Sequence, residues 1–337
     1  MNISLGEGDT PLVRSRAIGP AAGLRNLFFK LETVNPTGSY KDRYAAAAIS
    51  HMVAAGQKNC IATSSGNTGA ALAAYCAAAH IRCRIAIVET APAAKLQQMM
   101  AYGAEIYRVR GFGTDAAITA RAITMLEALG KQPGHALQIS AYQYSPHGMT
   151  GVESLAHELA EQRGAEIDHV FCPAGGGGLT LAVARGFENF SKTNCRPAVH
   201  CVQPEGNDTI AGALREGADA ARDVACTTAI SGLQVASVID GHDVIRECRP
   251  TGGTGHQVGD EETWAAQRRL AREEGIFSEP AGAVALAGAL KAAANGEVDP
   301  DSTIVCLVTG SGFKDATSVG KMNADADCPL ITVEEIV

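Results

Sequence analysis

One lysine of this chain stands where its amine could act as a nucleophile. Lys41 ends the small-residue turn Asn35-Pro-Thr-Gly-Ser-Tyr and comes just before Tyr44-Ala-Ala-Ala-Ala, where the pattern predicts the start of a helix. At that place the side chain can project into a cleft instead of lying along a solvated helix face. A lysine held near cations or in an apolar pocket has a lowered pKa, and its free amine becomes a nucleophile. Lys41 is therefore a candidate catalytic residue, provided that other segments build a site around it.

Four consecutive glycines form a candidate phosphate site. They follow the apolar run Val170-Phe-Cys-Pro-Ala and precede the helical pattern that starts at Leu179. Without Cβ atoms, successive amides can converge on one anion, and the positive end of the following helix adds to the attraction. The spacing G-x-G-x-x-G and a later acidic partner are not evident, so a dinucleotide site is not indicated. The run consists of Gly175, Gly176, Gly177 and Gly178.

A second segment suits an incoming carboxylate. Ser64-Ser-Gly-Asn-Thr-Gly69 lies between a predicted strand and a predicted helix, so its hydroxyls and amides meet at a helix N-terminus. The alternative is an ordinary N-cap, in which a Ser or Asn oxygen accepts a hydrogen bond from the first helical turn. One hydroxyl can be a cap while the others bind a ligand, so the segment stays a candidate anion site.

Alternating strands and helices must position these segments. Between Lys58 and Ser140 short apolar runs alternate with helical stretches, which implies right-handed crossovers and a parallel sheet. Residues 206–259 lose this periodicity and are interpreted as loops and short elements, and the tail after Asp315 is predicted to be weakly structured as far as Leu330. The predicted strands are Cys60–Thr63, Arg82–Glu89, Glu105–Val109, Ala136–Ser140, His169–Cys172, Ala198–Gln203 and Thr303–Val308. The predicted helices are Thr68–Ala79, Pro92–Tyr102, Thr114–Leu129, one after Gly178, Glu261–Glu274 and Pro280–Ala294.

Composition limits the class of protein. Of 337 residues 46% are hydrophobic and 19% charged, which is typical of a compact α/β protein with one large or two closely packed domains. The formal net charge of −8 argues against a nucleic-acid partner. No apolar run approaches the ~20 residues of a membrane span, and no secretory signal is evident, so we expect no membrane partner and a cytoplasmic protein. The ten cysteines contain no CxxC pair, so no metal site is predicted; those in apolar runs are interpreted as small hydrophobic residues, namely Cys60, Cys83, Cys172, Cys201 and Cys306.

Four segments together resemble the active-site segments of the pyridoxal-phosphate-dependent enzymes of fold type II. They are the turn before Lys41, the segment from Ser64, the glycine run, and Val308-Thr-Gly-Ser-Gly312. That family includes threonine synthase, threonine and serine dehydratases, and the tryptophan synthase β chain. The resemblance implies pyridoxal 5′-phosphate as cofactor, a small amino acid as substrate, and a homodimer.

The same resemblance implies the domain organisation. The fold class is α/β, with two interleaved parallel-sheet domains as in the tryptophan synthase β chain. A large cofactor-binding domain would comprise residues 1–41 and 148–337, and a small substrate-binding domain would comprise residues 42–147. Composition and periodicity by themselves indicate only two sheets.

The resemblance also implies a role for each matching residue. Lys41 would form the Schiff base with the cofactor and later take the Cα proton, and Asn67 would bond the phenolic oxygen. Thr309 would face the pyridine nitrogen as a neutral partner, which favours expulsion of a β or γ leaving group. Glu279 lies in a further matching segment, although it could equally belong to the N-cap of the helix that starts at Pro280. The cofactor phosphate would be held at Gly175, Gly176, Gly177, Gly178 and Leu179, and the substrate carboxylate at Ser64, Ser65, Gly66 and Thr68.

Three functions stay open at this level. The turn before Lys41 and the segment Thr309-Gly-Ser-Gly-Phe-Lys-Asp315 look most like threonine synthase, which converts O-phosphohomoserine and water into threonine and phosphate. The glycine run followed by Leu179 is closer to the threonine and serine dehydratases, which are ammonia-lyases. A protein that binds the cofactor without turnover is the third alternative, and the presence of Lys41 argues against it.

One feature of typical threonine synthases is missing from the sequence. Their arginine that grips the substrate phosphate corresponds here to Gly148, in the stretch Pro146-His-Gly-Met-Thr-Gly151. A phosphate dianion without a charged clamp loses a strong bidentate interaction. The neutral donors nearest in sequence are His147 and Thr150, and we expect Thr150 to contact the substrate.

Overall fold

The computed structural model describes residues 2–64, 66–91, 93–189 and 196–336. Their strands are β1 (Leu12–Arg14), β2 (Asn26–Leu31), β3 (Asn59–Ala62), β4 (Arg82–Ile87), β5 (Glu105–Arg108), β6 (His135–Gln138), β7 (His169–Pro173), β8 (Ala198–Pro204), β9 (Gly255–Val258) and β10 (Thr303–Val308). Their α-helices are α1 (Ile18–Ala21), α2 (Lys41–Ala54), α3 (Asn67–Ala78), α4 (Ala93–Ala101), α5 (Ala116–Gly130), α6 (Pro146–Arg163), α7 (Gly178–Asn189), α8 (Ala211–Arg215), α9 (Gly241–Cys248), α10 (Asp260–Glu274), α11 (Pro280–Ala294) and α12 (Ala316–Met322). No helix among these residues is both long enough and apolar enough to cross a bilayer.

The strands form two sheets. The larger has the order β1-β2-β10-β7-β8-β9 and is parallel except for β1, which pairs antiparallel with β2. The smaller has the order β5-β4-β3-β6 and is parallel throughout. Because all four strands of the smaller sheet lie between Asn59 and Gln138, one sheet interrupts the other in sequence. The predicted α/β class with two interleaved sheets is confirmed, whereas the domain boundaries at residues 41/42 and 147/148 stay a prediction.

Periodicity located most elements and missed those without it. The predicted strands and helices are present with described ends shifted by two residues or fewer; Pro92, the expected start of one helix, lies outside the described residues. Residues 206–259 contain loops and short elements, as predicted; among them β9 pairs with β8 through backbone hydrogen bonds that need no apolar pattern. The same stretch contains α9, whose buried face holds Val244, Ile245 and Cys248. The tail after Asp315 likewise contains α12.

A buried group of charges fixes α2 against the larger sheet. The Arg43 guanidinium donates to both carboxylate oxygens of Glu32, at 2.7 and 2.8 Å, and to both of Glu158, at 2.6 and 2.8 Å. Lys30 Nζ donates to Glu158 as well, at 2.9 Å. Arg43, Glu32 and Lys30 are buried, so two cations and two anions balance each other away from water. Burial opposes ionisation of Glu158, but the hydrogen bonds and charge of Arg43 lower the pKa of that carboxyl to about 2.

Three histidines stand in a row across the larger sheet. His169 Nδ1 lies 3.0 Å from His200 Nε2, and His256 Nε2 lies 3.2 Å from His200 Nδ1, which also accepts the backbone N–H of Thr254. The Phe171 ring stacks on His200 with 4.4 Å between centroids. Burial and, secondarily, the adjacent imidazoles lower the pKa of His200 to about 3, and burial lowers that of His256 to about 4. The folded protein therefore holds these histidines neutral.

This row predicts a loss of stability in mild acid. The pKa values of these histidines in the folded protein lie below the ordinary value of about 6.5. The free energy of unfolding is therefore at its full value above pH ~6.5 and decreases as the pH falls towards the pKa values of the folded protein. At pH 5 one such histidine lowers the free energy of unfolding by about 2 kcal/mol relative to pH 7. Urea unfolding from pH 7 to 4.5 should show a shallower decline for His200→Gln than for the wild type. His80→Asn, at an exposed position, is the control, and equal declines in all three proteins would contradict the assignment.

The charge group around Arg43 predicts a large loss of stability when Arg43 is replaced. Arg43→Met should lower the free energy of unfolding by about 3–5 kcal/mol, because Glu32 would remain buried without its guanidinium. Arg43→Lys should lower the free energy of unfolding by less, since it keeps the positive charge, although it loses the bidentate geometry. Urea unfolding measures both, and Arg25→Met, which removes the exposed ion pair with Asp301, is the control that should change little. A comparable loss in Arg25→Met would argue against a special role for the buried group.

Candidate active site

A cleft of about 610 Å³ opens where strands of both sheets end. The chain enters its lining at Thr63 after β3 and at Ile139 after β6, on the side of the smaller sheet. From the larger sheet it enters at Pro173, the last residue of β7, and at Thr309 after β10. In parallel sheets ligands bind outside the carboxyl ends of the strands, because loops and helix N-termini meet there. The cleft is thus the candidate active site.

The structure brings most of the predicted site residues into this one cleft. Ser65 lies outside the described residues. The predicted residues that line the cleft are Lys41, Ser64, Gly66, Asn67, Thr68, Gly175, Gly176, Gly177, Gly178, Leu179 and Thr309. They come from segments up to 268 positions apart (Lys41 to Thr309, 309 − 41), and both sheets are needed to assemble them.

Lys41 begins α2 and points at a hydroxyl that the sequence did not reveal. Its Nζ donates to Ser140 Oγ at 2.6 Å, and Ser140 Oγ lies 3.0 Å from Thr68 Oγ1. The turn before the lysine is closed by Asp42, whose carboxylate accepts hydrogen bonds from the backbone and the hydroxyl of Thr37. Burial raises the pKa of Asp42 to about 6. The sequence predicts Ser140 at the end of a strand, and this position at the carboxyl end of a parallel sheet is the signal that could identify it as a site residue.

The glycine run forms a set of donors without acceptors. Within the described chain no acceptor is found for the backbone N–H groups of Gly175 to Gly178, at the start of α7. Gly177 has a φ of +93°, a conformation that L side chains rarely adopt, and a Cβ there would lie 2.7 Å from Val244 Cγ2. Buried or clustered amides of this kind are normally paired with a ligand or with water. The run is therefore built to receive an anion.

A second set of donors faces the cleft from the start of α3. Asn67 and Thr68 are the first residues of that 12-residue helix, and their amides have no intrahelical acceptor. Ser64 Oγ accepts the N–H of Gly66, so one hydroxyl of the segment shapes the loop and the other groups remain for a ligand. Two helix N-termini, those of α3 and α7, thus point their positive ends into one cleft.

Polar side chains complete the lining. Asn67 Nδ2 donates to Glu279 Oε1 at 2.6 Å, and Glu279 stands at the N-cap position of α11. Glu279 therefore begins a helix and also lines the cleft, so its two interpretations from the sequence are compatible. Thr309 is buried at the end of β10, and its carbonyl accepts the N–H of Tyr40. This bond joins the strand end to the turn that carries Lys41.

Charge is scarce in the cleft. Among the described residues that line it, Lys41 is the one basic side chain and Glu279 the one acidic side chain. Uncharged groups make up the rest, including the hydroxyls of Tyr40, Ser140 and Ser231. An anionic ligand would consequently be bound through backbone amides and neutral hydroxyls more than through ion pairs.

The structure does not bring Thr150 into the cleft. Thr150 does not line the cleft; it is exposed on α6, and its hydroxyl donates to the carbonyl of His147 at 2.9 Å. His147 lines a separate cavity of about 520 Å³, where its ring stacks on His51. Gly148 faces the core instead, and a Cβ there would lie 2.5 Å from Tyr44 Cε2. The helical turn directs this stretch away from the cleft, which spacing in the sequence could not show.

The arrangement fits pyridoxal phosphate. The four glycine amides can donate hydrogen bonds to its phosphate, and the Lys41 amine lies in the same cleft for its aldehyde. An amide at Asn67 and a hydroxyl at Thr309 are available for the polar atoms of the ring. The amides at the start of α3 are left for the carboxylate of an amino acid.

Comparisons with known proteins agree with this site. The family model of pyridoxal-phosphate dependent enzymes matches residues 3–310. The threonine synthase of Methanocaldococcus jannaschii is 33% identical over 322 residues, covering 93% of this chain and 76% of that protein. The threonine synthase of Halalkalibacterium halodurans is 32% identical over 316 residues, covering 93% of this chain and 84% of that protein.

Solved structures show the same fold. The processed threonine deaminase isoform 2 of Solanum lycopersicum superposes with a TM-score of 0.76 at 22% identity, covering 95% of this chain and 88% of that one. Maize serine racemase superposes with a TM-score of 0.74 at 26% identity, covering 94% and 92%. The resemblance inferred from four short segments is confirmed over most of the chain, and with it the requirement for pyridoxal phosphate. The chain belongs to the family of pyridoxal-phosphate dependent enzymes and is a lyase similar to threonine synthase.

Proposed function

We propose that this enzyme eliminates a leaving group from the side chain of an L-amino acid, and that its substrate is O-phosphohomoserine, converted with water to threonine and phosphate. The observation that carries the proposal is the Lys41 amine in a cleft with two separate sets of unpaired helix N-terminal amides. One set serves the cofactor phosphate and the other the substrate carboxylate. The similarity to threonine synthases supports this form of the reaction over others.

Each residue then has a defined task. Lys41 holds the cofactor at rest, and its freed Nζ takes the Cα proton of the substrate. Ser140, at 2.6 Å from Nζ, and Thr68, at 3.0 Å from Ser140, orient the amine for that transfer. Pyridoxal phosphate, when bound, accepts the electrons that remain after the proton has left.

The substrate carboxylate and the cofactor ring have their own partners in this proposal. The start of α3, with Ser64, Gly66 and Thr68, binds the carboxylate, and Ser65 of the same loop stays a predicted contact. Asn67 has a second N–H beside the one that bonds Glu279, and it donates to the phenolic oxygen. Thr309 offers the pyridine nitrogen a neutral hydroxyl, which leaves more of the negative charge available to expel a leaving group.

The scarcity of charge supports a second candidate function. A phosphorylated side chain would find no arginine among the described lining residues, and Lys41 is already committed. Neutral donors contribute about 0.5–1.5 kcal/mol each, against ~1.5–3 kcal/mol for hydrogen bonds to charged groups. An ammonia-lyase that acts on threonine or serine, whose side chains carry no phosphate, is therefore the alternative.

The proposal also covers the oligomeric state, the compartment and the domain organisation of the enzyme. We expect a homodimer in the cytoplasm, with residues 42–147 as a small substrate-binding domain inserted in the larger cofactor-binding domain. The support is the resemblance to the family and the fact that one sheet interrupts the other in sequence.

Parallel assays distinguish the candidates. The purified holoenzyme is incubated separately with O-phosphohomoserine, L-threonine and L-serine. Phosphate and threonine from the first substrate would support the threonine synthase reaction, and ammonia with a 2-oxoacid from the others would support the ammonia-lyase. Lys41→Ala should reduce either activity at least a thousandfold, and Ser140→Ala by about 10- to 100-fold, as expected for loss of a proton-transferring or orienting group. No turnover of any of the three would leave cofactor binding without this chemistry and contradict the proposal.

The glycine run predicts a selective loss of cofactor affinity. Gly177→Ala should raise the Kd for pyridoxal phosphate at least tenfold, because a Cβ at φ +93° strains the backbone that presents the amides. Gly217→Ala is the matched control, since Gly217 has a φ of +76° with open space around it and lies outside the cleft. Both variants should lose stability, but fluorescence titration of the apoenzyme with pyridoxal phosphate should show a raised Kd for Gly177→Ala only. Equal Kd values would mean that the run is an ordinary turn.

A further inference from the structure

Three cysteines that are far apart in sequence meet in the core behind the cleft. Cys60 lies on β3, Cys83 on β4 and Cys76 on α3, and all three are buried. Cys60 and Cys83 are direct partners in the register of the two parallel strands. Their sulfur atoms and that of Cys76 lie within 4.8 Å of one another. A metal ion placed between them could therefore be bound by all three without a movement of the backbone.

The other cysteines show that this arrangement is not a general effect of burial. Cys172 and Cys201 are also register partners on adjacent parallel strands, and both are buried. No third ligand completes a comparable group around them within the described residues. The difference is Cys76, which α3 presents to β3 and β4 from the side of the helix layer. Three converging thiols are thus a specific product of this part of the fold.

The ligand set selects the kind of ion. Thiolate sulfur is a soft ligand and favours Cu(I), Zn²⁺ and iron–sulfur clusters over hard cations. Structural zinc requires four ligands in a tetrahedron, and iron–sulfur clusters are normally held by four cysteines. In the described part of the chain the group contains three thiols and no histidine or carboxylate within the same reach. Cu(I) is therefore the ion that fits this group best, since a soft ion of low charge can be coordinated by three sulfur ligands alone.

We propose that Cys60, Cys76 and Cys83 form a binding site for a soft, thiophilic metal ion, with Cu(I) as its best representative. Each sulfur that coordinates the ion releases its proton to solvent, and the metal keeps its oxidation state. The site lies outside the lyase cleft, and it does not depend on the proposed substrate. It is connected to the cleft through the chain, because Ala62 of β3 leads into Thr63 and Ser64, and α3 begins at Asn67. A bound ion would join the two elements that carry the carboxylate-binding loop.

The test is an anaerobic titration of the holoenzyme with Cu(I) in competition with a chromogenic Cu(I) chelator. The titrated protein carries the substitutions Cys195→Ser, Cys226→Ser and Cys328→Ser, which remove other thiols that could bind Cu(I). Cys328 is exposed, Cys226 is partly exposed, and Cys195 lies outside the described residues. One equivalent of Cu(I) should be retained, with the ultraviolet absorption of copper–thiolate bonds and a first coordination shell of sulfur in X-ray absorption. The melting temperature should rise with Cu(I). Zn²⁺ added alone should be retained at least tenfold less tightly.

Matched variants decide whether the three thiols are the ligands. Cys60→Ser and Cys76→Ala should each weaken retention of Cu(I) at least tenfold and abolish the rise in melting temperature, whereas Cys172→Ser should leave both unchanged. Circular dichroism and the visible absorption of the bound cofactor show that each variant is folded, and Cys76→Ala is the milder change because α3 is already rich in alanine. A wild-type protein that yields all its Cu(I) to the chelator would overturn the proposal. Equal losses in Cys172→Ser and Cys60→Ser would overturn it as well.

Discussion

The helix that carries Lys41 is anchored by a buried balance of charge. Arg43, two residues further along α2, holds Glu32 at the end of β2 and Glu158 on α6, and Lys30 completes the group. A shift of α2 would leave one of these groups buried and unpaired, at a cost of several kcal/mol. The depth and rotation of the helix are thereby fixed relative to the larger sheet. The amine of Lys41 inherits that position, and the geometry of the cleft follows from it.

Around this fixed amine, the site is built mainly from backbone. The N-termini of α3 and α7 supply amides and the positive ends of two helices, and side-chain charge is nearly absent. Binding of anions by amides depends on close approach, which explains why glycines occupy the run from Gly175 to Gly178. Such a site recognises phosphate and carboxylate by shape and dipole, and its neutrality bears directly on which leaving group the enzyme can accommodate.

Strand register accounts for the unusual clusters in the interior. In a parallel sheet, side chains at matching positions of neighbouring strands stand side by side, so Cys60 meets Cys83, and the imidazole of His200 meets the ring of Phe171. Residues that look like isolated small or polar side chains along the chain become neighbours across it. The three histidines lie on neighbouring strands, each two positions from exact register with the next, and the third thiol, that of Cys76, is added by α3. Neither cluster leaves a signal in sequence spacing.

The sequence by itself determined the α/β alternation, the class of cofactor and the four segments whose residues meet in the cleft. Local patterns were sufficient because a strand followed by glycines or small polar residues and then by a helix has one favourable way to present its amides. Tertiary structure alone decided which distant groups meet. Ser140 reaches Lys41 because β6 ends beside β3, and Thr150 misses the cleft because the first turn of α6 directs it to solvent. β9 and α9 form without a clear periodic pattern because pairing with β8 and packing of one apolar helix face stabilise them, and these interactions exist only once the larger sheet has formed.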